Sequence, residues 1–471
     1  MIAALFYSPW DYGGTTASAI RGLNWILAAM LVVWFLGFTL KRARVSDPSY
    51  RRRFTPWPLL AISGLLLAIG WAMALNAHSI CDTDYFVFIP LRSPLGSAPG
   101  SVDYSLSCAW MLRATLLIGG IWTVAHLVQD ERWLLRIWWA IGLAGGSIAL
   151  LGLLQKASGA EMIFWQTPDK APVTTFFATY YYHANAGAYL NLTLPPIAGL
   201  AYRYTTRPSN PAVRALWLTI GVIMIVAVVC DTSRMAQFVA VLIALTLIAA
   251  ASKKVVRHVQ GMELKTALIA MLVLSAALWA VTQASHIDEP LKRWSEFQSA
   301  WPRDARWLVA AAAFHSLPEA GSLGFGPGTF SVVFPYFAGQ PGDRSGGIWL
   351  FLHNDYLQTM MEWGWIGAAL WAGVLFGGMI VAVRGLRDKR RSTGWFPRQR
   401  LLLPLIVTAL GGVAIHALVD FPLQISSIQL YVATYLGICW GSCLWKDPAS
   451  VVLAVPPQDI NPEARPPALA T

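Results

Sequence analysis

Apolar and polar residues along this chain come in blocks, not in the fine alternation of a surface helix or strand. Near-continuous apolar stretches recur at 22–40, 57–76, 109–128, 135–154, 186–203, 214–230, 236–251, 266–283, 357–383, 401–419 and 426–444. Most are close to the length that crosses about 30 Å of hydrocarbon at 1.5 Å per residue. The pattern predicts eleven transmembrane helices. Residues 1–21, "MIAALFYSPWDYGGTTASAIR", are expected to supply a twelfth element, either a short span or a helix lying in the interface. They lack the basic start and clean apolar centre of a cleaved signal peptide.

The expected architecture is an all-α polytopic membrane protein with four parts. About eight helices lie in 1–283 and about three in 357–444; between them is a large, partly helical outer loop, 284–356, and residues 445–471 read as a disordered cytoplasmic tail. Composition agrees, since the 471 residues are 56% hydrophobic and only 13% charged, against about 25% charged in soluble domains. Mean hydropathy is +0.52. So little charge cannot cover a water-soluble surface.

Charge then orients the helices. Alternate loops at 41–53, 129–136, 203–214, 252–265 and 384–400 hold 22 of the 35 lysines and arginines, the retained positive charge of a cytoplasmic face. The net charge of +11 is therefore mostly topology, and it does not mark a nucleic-acid surface. The loops 77–108, 155–185, 230–234, 284–356 and 420–426 fall on the other, outer side. Two of the five cysteines, Cys81 and Cys108, bracket the first of these. A disulfide in an oxidising compartment and two separate thiols both fit that placement. The chain has no sequence repeat and no Gly-rich nucleotide loop, so energy from ATP is not expected.

The chemistry collects on the outer side. In "DTSRMAQF" (231–238), Arg234 opens a helix near the hydrocarbon, where an arginine either snorkels as an anchor or joins the helix N–H groups in meeting phosphate. In "WPRDARWLVAAAAFHSLPEAGSLGFGPGTF" (301–330), Arg303 and Trp307 share one face of an amphipathic helix, with Arg306 close by. The Gly/Pro turn after it is suited to tight backbone packing over a site. "FLHNDYLQTMMEWGWIG" (351–367) sets His353 at the mouth of a helix, with Asn354 or Asp355 available as its N-cap. Imidazole titrates near neutrality, so His353 is placed either to take a proton from a hydroxyl or to present one to phosphate. Glu362 lies nine residues on, some 900° round the helix at about 100° per residue. It is therefore expected to bond within the bundle and not to pair with His353.

"HNDYLQTMMEWGWIG" resembles the signature that follows the large periplasmic loop in the O-antigen ligase and O-antigen polymerase superfamily. The approach is similar too, with Arg303, Trp307, Pro318, Gly324, Gly326 and Phe330 at matching spacing. "FFATYYYHANAGAYLNLTLP" (176–195), "TSRMAQF" (232–238) and "HALVDFPLQ" (416–424) complete a set spanning 176–424. The chain departs from the family pattern at "YHAN", where the family carries a basic or polar residue near Asn-Arg-Asn.

The resemblance implies an inverting, metal-independent glycosyltransferase without cofactor, working at the periplasmic face of the bacterial inner membrane. It would move a glycan from an undecaprenyl diphosphate carrier to an acceptor hydroxyl. In that reading His353, Arg234 and Arg303 are catalytic, and Arg306, Asn354, His183, Asn185, Tyr182 and Trp307 bind substrate. The partners are the lipid-linked glycan donor, a lipid or glycan acceptor and membrane lipids, with no nucleic acid. Tryptophan and tyrosine supply sugar-stacking faces as well as interfacial belts. A ligase, whose acceptor is lipid A core or a similar anchor, is the leading expectation. A polymerase joining carrier-linked repeat units is the alternative, and a relative that accepts protein Ser or Thr differs again. More remote are a metal-dependent transferase using Asp82 and Asp84 as hard oxygen ligands, a lipid or solute transporter, and a purely structural protein. A transporter would place its polar groups near mid-membrane.

Overall fold

A computed structural model gives the fold. It describes residues 1–44, 56–82, 84–85, 87–92, 95–96, 98–167, 176–260, 294–295, 304–339 and 349–445. The chain is almost wholly helical. The helices are α1 (Ile2–Trp10), α2 (Ala17–Arg44), α3 (Trp57–Leu75), α4 (Tyr104–Leu127), α5 (Glu131–Ala157), α6 (His183–Thr206), α7 (Pro211–Cys230) and α8 (Arg234–Gln260), followed by α9 (Ala305–Ala320), α10 (Phe330–Phe337), α11 (Asp355–Arg387), α12 (Lys389–Thr393), α13 (Pro397–His416) and α14 (Ser426–Gly441). Seven of these, α2 to α5, α7, α11 and α13, are long and apolar enough to cross a membrane. The protein is a multi-pass membrane protein.

Ten of the eleven expected spans coincide with helices; the eleventh, 266–283, lies outside the described residues, as do Arg303 and the tail from 446. Side-chain caps fix where many helices begin. Asp103 accepts the amide of Leu106, Asp130 that of Arg132, Asn210 that of Ala212, and Asp304 that of Arg306. Each such cap stabilises its helix by about 1 kcal/mol.

Residues 1–21 do not form a span of their own. Helix α1 has nine residues, about 14 Å of rise, and ends in the turn Tyr12–Gly14 before α2. It packs inside the bundle beside α5 and α14. Helix α14 is buried through nearly its whole length and is the centre of the structure. Its Tyr431 hydroxyl donates to Leu5 O (2.9 Å) and accepts from Tyr189 Oη (2.9 Å), while Tyr435 donates to Leu192 O (2.8 Å). These bonds join α1, α6 and α14 in a core where an unmade bond is costly.

Helices α11 and α13 run in opposite directions between two chemically distinct ends. At one end the basic connections meet: Arg398 Nε lies 3.3 Å from Glu131 Oε1, Arg391 donates to Cys443 O, and Trp445 Nε1 donates to Val128 O (3.0 Å). The other end carries the loops rich in polar chemistry.

Within the first of those loops a hairpin pairs β1 (Ser79–Asp82) with β2 (Val87–Pro90), antiparallel, Ser79 opposite Pro90. Asp82 Oδ1 there accepts the amides of Asp84 and Tyr85 (3.0 and 3.4 Å), a turn-closing role. Cys81 and Cys108 are both free thiols. The Cys81 amide is held on β1 by Asp103 Oδ2 (2.6 Å), whereas Cys108 packs on α4 beside Trp71 and Trp110. The hairpin and the helix draw the two sulfurs into different surroundings.

Candidate functional site

At the end opposite the basic connections, four distant pieces of chain converge. Tyr182 stands at the N-terminus of α6, Arg306 in the first turn of α9, His353 just before α11 and Asp420 in the turn between α13 and α14. His353 Nδ1 lies 3.1 Å from Asp420 Oδ1. Tyr182 donates its hydroxyl to Asp420 Oδ2 (3.2 Å) and accepts from an Arg306 Nη (3.0 Å). A cation, a phenol, a carboxylate and an imidazole thus form one chain of hydrogen bonds.

Local structure explains how each group is held. His353 has φ +58°, a left-handed backbone that costs a non-glycine residue energy and is tolerated where surroundings dictate it. Its ring meets Phe421 edge-on at 4.7 Å, Trp349 at 5.9 Å and Tyr182 at 6.1 Å. Asn354 follows as the N-cap of α11: its Oδ1 accepts the Leu357 amide (3.0 Å) and its Nδ2 donates to Leu418 O (2.9 Å). Buried Asp355 ties the same helix end to the far turn, accepting from the Leu423 amide (2.8 Å) and Gln424 Nε2 (3.0 Å). These two residues carry His353 and Asp420 into register.

Burial alone would raise the Asp420 carboxyl, but the hydrogen bond from His353 and the charges of His416, His353 and Arg306 outweigh it. The net effect holds Asp420 below the usual carboxylate range. An ionised carboxylate only accepts, so the shared bond needs its proton on His353 Nδ1; in a neutral imidazole that tautomer keeps the lone pair on Nε2. His353 is 15% exposed and Asp420 4%. The imidazole is the reachable member of the pair.

On the other side of Tyr182, Asp304 accepts the Arg306 amide (3.0 Å) and lies 3.8 Å from its Nε. The Arg306 side chain remains 41% exposed, although one Nη is engaged by Tyr182. Trp307 beside it is exposed. His183 is buried with Nδ1 2.8 Å from Thr232 Oγ1. That bond fastens the start of α6 to the corner whose next turn begins with half-buried Arg234. Asn185 is buried, and its Oδ1 has no hydrogen-bond partner among the described residues. Arg303 lies outside the described residues.

The expected Gly/Pro turn closes over α11. Helix α11 is interrupted at Gly364 (φ 60°, ψ −169°), and there Phe325 N donates to Met361 O (2.9 Å), Gly326 N to Glu362 O (2.9 Å) and Ile366 N to Ser322 O (3.1 Å). A Cβ on Gly364 would stand 2.3 Å from Ser322 C, so this left-handed, crowded position requires glycine. Glu362 accepts from Gln358 Nε2 (3.0 Å) and from the amides of Gly328 (3.1 Å) and Phe330 (3.4 Å). Beneath this turn a mainly apolar cavity of about 370 Å³ lies between α4, α11 and α14, lined by Trp110, Tyr356, Trp363 and Trp371 and by Arg113. Arg113 Nη1 donates to Ser426 Oγ (2.8 Å).

The helical membrane bundle thus gathers a hydrogen-bonded Asp–His pair and a partly exposed arginine at one face, above an apolar cavity. Residues 219–372 match the O-antigen ligase family, about a third of the chain. That match supports O-antigen ligase or polymerase type function in the general sense. Comparison with curated proteins gives no match. The matched segment contains Arg234, Arg306 and His353, whereas Tyr182 and Asp420, which complete the network, come from either side of it.

Proposed function

We propose that the protein transfers a glycan from an undecaprenyl diphosphate carrier to an acceptor hydroxyl at the periplasmic face of the inner membrane, by inversion and without a metal, as an O-antigen ligase. The observation that carries this reading is the Arg306–Tyr182–Asp420–His353 chain of hydrogen bonds, which joins an anion grip to a base. The acceptor oxygen attacks the anomeric carbon and gives its proton to His353 Nε2. The bond from that carbon to the phosphate oxygen breaks, and the diphosphate leaves with the electron pair. Asp420 stabilises the imidazolium so formed through Nδ1–H, while Arg306, with Arg234 and Arg303, stabilises the growing charge on the diphosphate. The apolar cavity is suited to the carrier's hydrocarbon chain. The basic connections at the opposite end favour a cytoplasmic location for that end, and hence a periplasmic site.

A deletion strain tests the acceptor. Accumulation of long carrier-linked glycan identifies a ligase. Accumulation of single carrier-linked repeat units would replace that reading with a polymerase, and unchanged surface and carrier-linked glycan would overturn both.

A further inference from the structure

Next to the site, but outside its hydrogen-bond network, three pieces of chain assemble a group of aromatic rings. Tyr12 and Tyr181 stack at 5.6 Å with 7° between their planes, and Phe164 meets Tyr12 edge-on at 5.6 Å. Trp10 stacks behind Phe164 at 6.5 Å. Among the described residues five non-glycines have a left-handed backbone. Three of them are Tyr12 (φ 47°), Phe164 (57°) and Trp165 (55°), and a fourth is His353. Such strain is ordinarily offset by burial, but Trp165 is 50% exposed; Tyr181, whose backbone is ordinary, is 37% exposed. The strained turn at Phe164 and Trp165 therefore leaves the Trp165 ring half exposed.

Hydrogen bonds hold the edges of these rings. Trp165 Nε1 donates to Ser158 Oγ (2.7 Å), Gln166 Nε2 to Tyr12 Oη (2.8 Å) and Trp10 Nε1 to Ser147 Oγ (3.0 Å). The neighbouring Glu161, Gln166 and Thr167 are exposed, as suits a watery face and not a lipid one. Part-exposed rings, with the edges of Tyr12 and Trp165 held and polar groups adjacent, match a pyranose, whose C–H face is apolar and whose rim is hydroxyl. Tyr181 precedes Tyr182 of the site, so the platform continues it.

We propose that Tyr12, Phe164, Trp165 and Tyr181 form a sugar-stacking subsite, which holds a distal part of the glycan chain while the reacting sugar lies at His353. This rests on the proposed transfer reaction. The test uses the full-length protein in lipid nanodiscs, with diphosphate-lipid donors carrying one sugar or a long glycan, and with labelled oligosaccharide released from the host's own carrier. Tyr181→Ala and Trp165→Ala are expected to raise KM for the long donor at least tenfold and to leave kcat, and KM for the one-sugar donor, within twofold. Tyr181→Phe and Trp165→Phe should restore most of the loss. Equal effects on both donors, or none, would overturn the subsite and leave the rings as an interfacial belt. If the wild type transfers no glycan, the reaction fails but the subsite is still decided by oligosaccharide binding: weakening by the alanine variants supports it, and unchanged binding or no binding refutes it.

Discussion

Asp420 and Glu362 are both carboxylates buried at the same end of the bundle, and they do different work. Among the described residues, the hydrogen-bond donors to Glu362 are internal: the Gln358 amide and the backbone amides of Gly328 and Phe330; it also lines the apolar cavity with Arg113. Asp420 is the middle of a chain whose two ends, His353 and Arg306, reach the surface. A closed network fixes a loop; an open one can receive a substrate. Burial of an acid therefore does not by itself identify a functional group here, but the accessibility of its partners separates the two roles.

The sharpest way to break this distinction is to remove the two ends of the open network. His353→Ala should lower the transfer rate on the order of a hundred- to ten-thousand-fold while leaving the thermal unfolding midpoint in detergent nearly unchanged. Retained donor binding would support a base, and lost binding would make His353 a phosphate ligand. Arg306→Ala should cost about 3 kcal/mol of transition-state stabilisation, about a hundredfold in rate. Lysine should rescue only partly, since it lacks the planar fork. Normal transfer by inserted, folded Arg306→Ala and Arg234→Ala variants would place the diphosphate elsewhere.

The closed network predicts the reverse balance. Glu362→Ala strips the acceptor from two backbone amides, at about 1–3 kcal/mol for each left unmet, so the unfolding midpoint and the activity should fall together. A variant with normal stability and lost transfer would move Glu362 into the chemistry. Asn354→Ala removes a helix cap worth about 1 kcal/mol and loosens the turn at Leu418. Partial activity with a modestly lowered midpoint is the expected outcome.

The bundle was largely legible because membrane spans are written in runs of apolar residues, and the basic loops give their alternation independently. Where patterning alone decided less, the structure differs. Residues 1–21 contain apolar residues but make only a nine-residue helix, stabilised by Tyr431 from the far end of the chain, a contact that no local pattern encodes. His353 was expected at a helix mouth, whereas Arg306 and Tyr182 stood among the substrate-binding residues the resemblance implied, and their joining in one network was not legible. Asp420 was visible only as part of "HALVDFPLQ", since its role depends on a fold-back that brings it 67 positions along the chain to His353. Glu362 was legible as an internal hydrogen-bonding group, but the amides it serves were not. Asn354 and His183 were read as substrate groups, and both are engaged within the protein by Leu357, Leu418 and Thr232. Spacing reports which groups share a helix face and cannot report which have already found partners.

The smallest expected effect is on stability in acid, and it tests the ionisation of Asp420. Asp420 in the folded protein is held below its ordinary range, while in the unfolded chain it titrates near the value of about 3.9 for a free aspartate. Between those two values the unfolded state binds more protons, so stability falls as pH falls. Above that window the contribution is fully present. The unfolding midpoint of the wild type should therefore exceed that of Asp420→Asn by a constant amount from pH 8 to 5, and the difference should shrink below about pH 4. The effect is small because burial opposes the hydrogen bonds and positive charges that depress the carboxyl. If the difference instead disappears between pH 7 and 5, Asp420 is protonated in the working range. It could not then orient His353 as an ionised acceptor, and the open network would lose its charge.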